Sequence, residues 1–128
     1  MRGVQQISQS ELEIMDIIWK ERSTITLAPL MEKLGQIGKR WKTNTVVTFL
    51  ARLAEKGLLS IEKRGRNNVY IANVGEQDYL ESQTKAFLIK NYANDAKELV
   101  ASLLRHEYLT ADEIEEIAEY WKKRRIEK

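Results

Sequence analysis

A chain of 128 residues with 43% hydrophobic and 31% charged side chains has the size of one ordinary domain, or of a small domain plus an oligomerisation segment, and the composition of a helical, soluble protein. It contains no apolar run long enough for a membrane helix, no apolar centre in the opening MRGVQQISQSE for a signal peptide, and no Cys for a disulfide or thiolate metal site, so cytoplasm is the simplest localisation. The net charge of +2 conceals an asymmetry: residues 36–68 hold eight Lys or Arg against Glu55 and Glu62, residues 75–120 hold eleven acids against four bases, and the last eight residues return +4. A basic middle beside an acidic C-terminal half suggests a polyanion-binding unit and a separate second unit.

Ser8-Gln-Ser-Glu11 is a capping-box pattern, and Leu12, Met15, Ile18 and Trp19 then stripe a helix over about 10–21. Thr26 is the expected N-cap of a short helix over 27–36, with Leu27, Leu30, Met31 and Leu34 inward and Pro29 in its tolerant first turn. Gly35 and Gly38 mark the end of that helix and the turn. A third helix is expected over 43–56, stopped by Gly57, with Val46, Phe49, Leu50 and Leu53 as its core stripe. Residues 58–63 and 69–74 alternate as half-buried strands do, joined by a loop over Arg64–Asn68. Val74-Gly75 is the expected boundary between domains 1–74 and 75–128. Beyond it the pattern is helical: Tyr79, Leu80, Phe87, Leu88 and Tyr92 stripe about 76–91, Asn94-Asp95 breaks and caps, and Leu99, Val100, Leu103 and Leu104 stripe a second helix. Thr110-Ala-Asp-Glu113 opens a third, with Ile114, Ile117, Ala118 and Trp121 on one face.

The expected fold is therefore mainly α: a winged helix-turn-helix of three helices and a hairpin, followed by a helical domain. Its chemistry is that of binding. On the third helix, Asn44, Thr45, Thr48 and Arg52 lie opposite the apolar stripe, with residue types that can hydrogen-bond base edges and phosphates. Thr45 and Thr48 are β-branched, a poor choice for an idle helix surface. Asn44 suits adenine or a plain first turn; Arg52 suits phosphate or an ion pair with Glu55. Lys42, Thr43 and the helix N-terminus suit a phosphate. Arg64, Arg66, Asn67 and Asn68 form a wing or a solvated turn. Trp41 is a core anchor or a plate against sugar-phosphate. No catalytic constellation is present: His106 is the only His, in a polar loop, and the acids around Glu115 and Glu116 fit a helix N-terminus. No metal site and no cofactor are expected.

The run Trp41-Lys-Thr-Asn-Thr45-Val-Val-Thr48-Phe-Leu-Ala-Arg52-Leu-Ala-Glu-Lys56-Gly57 resembles the recognition-helix signature of the penicillinase-repressor family, which includes beta-lactamase, methicillin-resistance and copper-transport repressors. Ile7-Ser-Gln-Ser-Glu11-Leu-Glu-Ile-Met15-Asp-Ile-Ile-Trp19 is similar to the family's first helix, and Arg64-Gly-Arg66-Asn-Asn-Val-Tyr70 to its wing. The resemblance implies a homodimeric repressor tied to antibiotic resistance. Each winged helix would read half of an inverted repeat in double-stranded DNA, and the C-terminal helices would interlock. In the antibiotic-responsive branch a membrane sensor-protease system triggers cleavage in the dimerisation helices, which makes a regulatory protease a partner. Residues 101–104 read Ala-Ser-Leu-Leu in place of the Asn-Phe pair associated with cleavage, and the Cys-rich motif of the copper branch is missing.

Three short helices hide little apolar surface alone, so Tyr79, Phe87, Leu88, Leu99, Leu103, Ile114, Ile117 and Trp121 are the expected dimerisation residues. A cut near Gly75 is expected to leave a folded monomeric domain. The alternative function is a winged-helix protein-interaction module whose basic face binds an acidic partner.

Overall fold

A computed structural model describes residues 7–127; residues 1–6 and Lys128, the outer ends of the two expected domains, lie outside the described residues. The chain forms two compact units, Met1–Thr84 and Lys85–Lys128. The first helix, α1 (Gln9–Lys20), begins where the sequence pattern places it. Ser8 Oγ accepts from the Glu11 N–H at 3.2 Å, and the Ser8 N–H donates to Glu11 Oε1 at 2.7 Å, so two of the four orphan donors of that terminus are satisfied. After α1 come a short strand β1 (Thr24–Thr26), α2 (Leu27–Gln36), α3 (Thr43–Glu55), the hairpin β2 (Leu59–Arg64) and β3 (Asn67–Ala72), and α4 (Glu76–Tyr92).

Gly57 ends α3 at φ 85°, with the Leu58 N–H bonded to Leu53 O at 3.0 Å and the Gly57 N–H to Ala54 O at 3.1 Å. That is the paired hydrogen-bond pattern of a Schellman stop, and its left-handed residue is Gly because a Cβ would crowd the carbonyl there. Leu58 and Leu59 then turn straight back into the core.

The sheet has three antiparallel strands in the order β1-β3-β2. β1 is absent from the sequence reading, since three residues are too few for alternation to declare itself. It exists because β3 offers an edge: Ile25 pairs with Tyr70, and both are buried. The chain enters β1 through Arg22 and Ser23 at φ 62° and 68°, an uncommon backbone for residues with a Cβ. The Ser23 N–H bond to Ile18 O (2.9 Å) and the Ala72 N–H bond to Ser23 O (2.8 Å) hold it there.

One core gathers Ile14, Met15 and Ile18 of α1, Leu30 and Leu34 of α2, and Val46, Leu50 and Leu53 of α3, all almost wholly buried. Tyr79 of α4 belongs to this core. Its ring centroid lies 5.6 Å from that of Trp19, whose indole N–H donates to Val74 O at 2.8 Å. This corrects the expectation that Tyr79 faces a second copy. It also extends the N-terminal unit through the first turns of α4, about ten residues past Gly75, because an aromatic side chain there completes the packing of α1.

The second unit holds the end of α4, then α5 (Ala96–Arg105) and α6 (Ala111–Glu127). Asp95 caps α5 by accepting from the Glu98 N–H at 3.2 Å, and Thr110 and Glu113 close a reciprocal capping box on α6 at 3.1 and 2.9 Å. Ala93 and Asn94 take positive φ between α4 and α5, which breaks the helix. No described side chain of this unit is buried. Phe87, Leu104, Ile117 and Trp121 are exposed, and Leu88, Leu99, Leu103 and Ile114 are half-buried.

Candidate nucleic-acid interface

Burial of Val46, Leu50 and Leu53 fixes the rotation of α3 about its axis and therefore decides what it shows to solvent. Lys42, Thr43, Asn44, Thr45, Thr48 and Arg52 are all exposed. Lys42 stands at the N-cap in extended backbone without a side-chain capping bond. The N–H groups of Thr45 and Val46 reach back to Lys42 O at 3.0 and 3.1 Å, while those of Thr43 and Asn44 precede any helical acceptor and point out of the terminus. A helix start with open donors and an unpaired ammonium is suited to a phosphate oxygen.

Thr48 Oγ1 donates to Asn44 O at 2.9 Å. Its hydrogen is spent on its own helix, so it presents lone pairs and a methyl outward; the threonine code for bases is narrowed to accepting a hydrogen bond or packing on a thymine methyl. Val47 is 40% exposed on the same side as Asn44 and Ala51. Sequence reasoning passed over it; the signal was there in a β-branched apolar residue one position away from the core stripe. Trp41 is the anchor: half-buried, it meets Phe49 edge-on at 5.2 Å, and the Lys39 ammonium lies 5.6 Å over its ring.

In the wing, β2 ends at Arg64 and β3 begins at Asn67, so the loop is only Gly65-Arg66 rather than the five residues expected. Gly65 at φ 62° supplies the positive φ that a two-residue hairpin turn needs at its first central position. Register then sorts the tip. Arg64 pairs with Asn67 and Lys63 with Asn68, and alternation puts these two pairs on opposite faces of the ribbon. Arg66, Asn67 and Asn68 line a cleft of about 230 Å³ together with Thr26, Leu27, Ala28 and Tyr70, which brings the wing against the start of α2.

Ion pairs decide which basic residues remain available. Lys39 holds Glu13 at 2.9 Å, Lys56 holds Glu11 at 2.8 Å, and Arg64 holds Glu62 at 3.1 Å. Among the described residues Arg40, Lys42, Arg52, Lys63 and Arg66 make no ion pair, and Arg52 does not engage Glu55. The positive surface is thus narrower than the composition of residues 36–68 suggests, and it is concentrated on the start of α3 and the wing. The described residues contain no cluster of three or more His, Cys, Asp or Glu able to hold a metal, and none of their helices is long and apolar enough to cross a membrane.

Comparison with known proteins agrees with this architecture. A sequence profile for the penicillinase repressor matches residues 7–123. The penicillinase repressor of Bacillus licheniformis is 36% identical over 117 residues, 91% of this chain and 90% of that one. The methicillin resistance regulatory protein MecI of Staphylococcus aureus (strain N315) is 32% identical over 112 residues, 88% of this chain and 89% of that one. The solution structure of the monomeric form of B. licheniformis BlaI in complex with the blaP half-operator is 40% identical with a TM-score of 0.51, and the match covers 62% of this chain and 94% of that one. Members of this family regulate transcription and are not enzymes. The chain belongs to the penicillinase repressor family, with the winged-helix fold in its N-terminal unit.

Proposed function

We propose that this chain is a homodimeric transcriptional repressor that binds an inverted-repeat operator in double-stranded DNA, one winged helix to each half. The observation that carries the reading is the exposed face of α3, where Asn44, Thr45, Val47 and Thr48 lie between the cations Lys42 and Arg52. Such a face places base-edge chemistry at the centre and phosphate chemistry at the edges, as a helix in a major groove requires. The half-operator complex of a 40% identical relative supports it. One short helix reads few bases, and a second copy supplies the other half-site. The exposed Phe87, Ile117 and Trp121 and the half-buried Leu88, Leu99, Leu103 and Ile114 of the second unit support self-association.

On this reading the protein works in the cytoplasm, where the DNA is, and cleavage within residues 95–105 by a regulatory protease would release it by splitting the dimer. Binding to a duplex with an inverted repeat, against the same composition scrambled, tests the proposal at fixed salt. A strong preference for the repeat is expected. Equal affinity for both, with steep salt dependence, would favour an acidic-partner module instead.

A further inference from the structure

We propose that α6 is an antiparallel self-pairing helix, oriented by its own charge pattern, so that Glu113 and Glu115 of one chain meet Arg124 and Lys122 of a second copy. This rests on the homodimer reading and adds the direction and register of one contact.

The helix is amphipathic along one side. Ile114, Ile117, Ala118 and Trp121 form a stripe at helical spacing, and Ile117 and Trp121 are 49% and 57% exposed. Its charge is divided lengthwise: Asp112, Glu113, Glu115, Glu116 and Glu119 come first, then Lys122, Lys123, Arg124 and Arg125. The helix dipole favours acids in the first turn and bases in the last. That effect fades beyond one turn and does not account for Glu115, Glu119 or Lys122, which lie further in.

Spacing supplies the register. Glu115 and Lys122 are seven residues apart, and Glu113 and Arg124 are eleven apart. Both intervals return to the same side of a helix, so each acid shares a flank with its base. The two pairs have the same midpoint, between Ala118 and Glu119. A single two-fold axis crossing there brings both acids level with both bases, four opposite-charge contacts in all, while the apolar stripes close on each other. A parallel, in-register pair would instead bring opposite flanks together and set Glu113 against Glu115 and Lys122 against Arg124, like charge on like. Charges flanking an apolar seam choose orientation in this way. Arg124 is already held on its flank: its Nη1 donates to Tyr120 Oη at 2.8 Å, and its guanidinium lies 5.4 and 5.7 Å over the Tyr120 and Trp121 rings.

The chain has no Cys, so single cysteines report cleanly. Full-length E115C and K122C chains, one carrying a mass tag, are mixed and oxidised. Antiparallel pairing predicts the mixed disulfide. It predicts little E115C homodimer disulfide, because those positions are then about 10 Å apart along the axis, beyond disulfide reach. In parallel, E115K should weaken self-association about ten-fold by sedimentation, and E115K/K122E should recover it to within about three-fold. A dimer that cross-links 115 to 115, that yields no disulfide from any mixture, or whose charge swap fails to recover overturns the antiparallel assignment and leaves the homodimer standing. A wild-type monomer at micromolar concentration removes the homodimer itself.

Discussion

Lys56 Nζ lies 2.8 Å from Oε1 of Glu11, 45 residues earlier in the chain, and joins the last turn of α3 to the capped start of α1. Glu11 is 1% exposed, a charge kept in the interior only because Lys56 and the Ser8 N–H both address the same oxygen; Oε2 has no partner. The pair fixes where α3 ends against the helix behind it. A basic residue that composition assigns to the DNA surface is therefore a strut, and it positions the residues that remain for binding.

Removing that charge should cost stability. Burial alone raises the pKa of Glu11, but the hydrogen bond from Lys56, the Ser8 backbone and hydroxyl contacts, and the Lys56 charge outweigh it and hold the carboxyl below its usual value. A depressed carboxylate contributes stability that is present above its unfolded pKa and lost as pH falls through the folded one. Glu11→Gln should cost about 1–3 kcal/mol at neutral pH. Urea titrations should show the gap between variant and wild type closing as pH drops below about 4. Asp16 has the opposite sign: burial and then Glu76 raise its pKa, so Asp16→Asn should stabilise the protein at neutral pH.

Thr48 gives a prediction that separates its hydroxyl from its methyl. Because Oγ1 already donates to Asn44 O, Thr48→Val should keep most operator affinity if the methyl packs on thymine, whereas Thr48→Ala should lose about 1–3 kcal/mol. Val47→Ala should also weaken the cognate duplex, yet change folding stability by no more than about 0.5 kcal/mol, since the side chain is largely outside the core. Titration of each variant against matched and mismatched duplexes decides. Wild-type affinity in a Thr45→Ala/Thr48→Ala double variant would remove the reading role from α3.

The wing should add affinity with little sequence choice. Arg66→Ala should weaken matched and scrambled duplexes alike and reduce the salt slope by about one unit. Arg64→Ala should do less, because Arg64 already shares its charge with Glu62. Binding measured across a salt series shows which arginine faces phosphate, and equal slopes for all three proteins would point the wing away from DNA.

Truncation tests where the N-terminal unit stops. A chain ending at Thr84 keeps Tyr79 on Trp19 and should fold as a stable monomer. Ending it at Gly75 removes that aromatic and should cost about 3–5 kcal/mol, in the range of deleting a large core side chain. Equal melting temperatures for the two fragments would show that the start of α4 is dispensable.

Sequence alone determined the helices, the capping bonds of α1, α5 and α6, the Gly57 stop, the presence of a hairpin and the polar face of α3, while Thr26 stands at the start of α2 without a side-chain capping bond. Each of these is a local matter: a capping box, a glycine at positive φ and a 3.6-residue stripe act within a turn or two of themselves. The tertiary structure decided what depends on distant partners. β1 exists only because β3, more than forty residues on, lends it an edge. Tyr79 sits on a stripe that reads as a free helical face, and it becomes core because Trp19 is waiting for it. Lys39 and Lys56 look like DNA-facing charge until Glu13 and Glu11 of the first helix are brought to them. Composition counts charges, but only the folded chain says which are already neutralised, because ion pairs form between residues that packing, rather than sequence, makes neighbours.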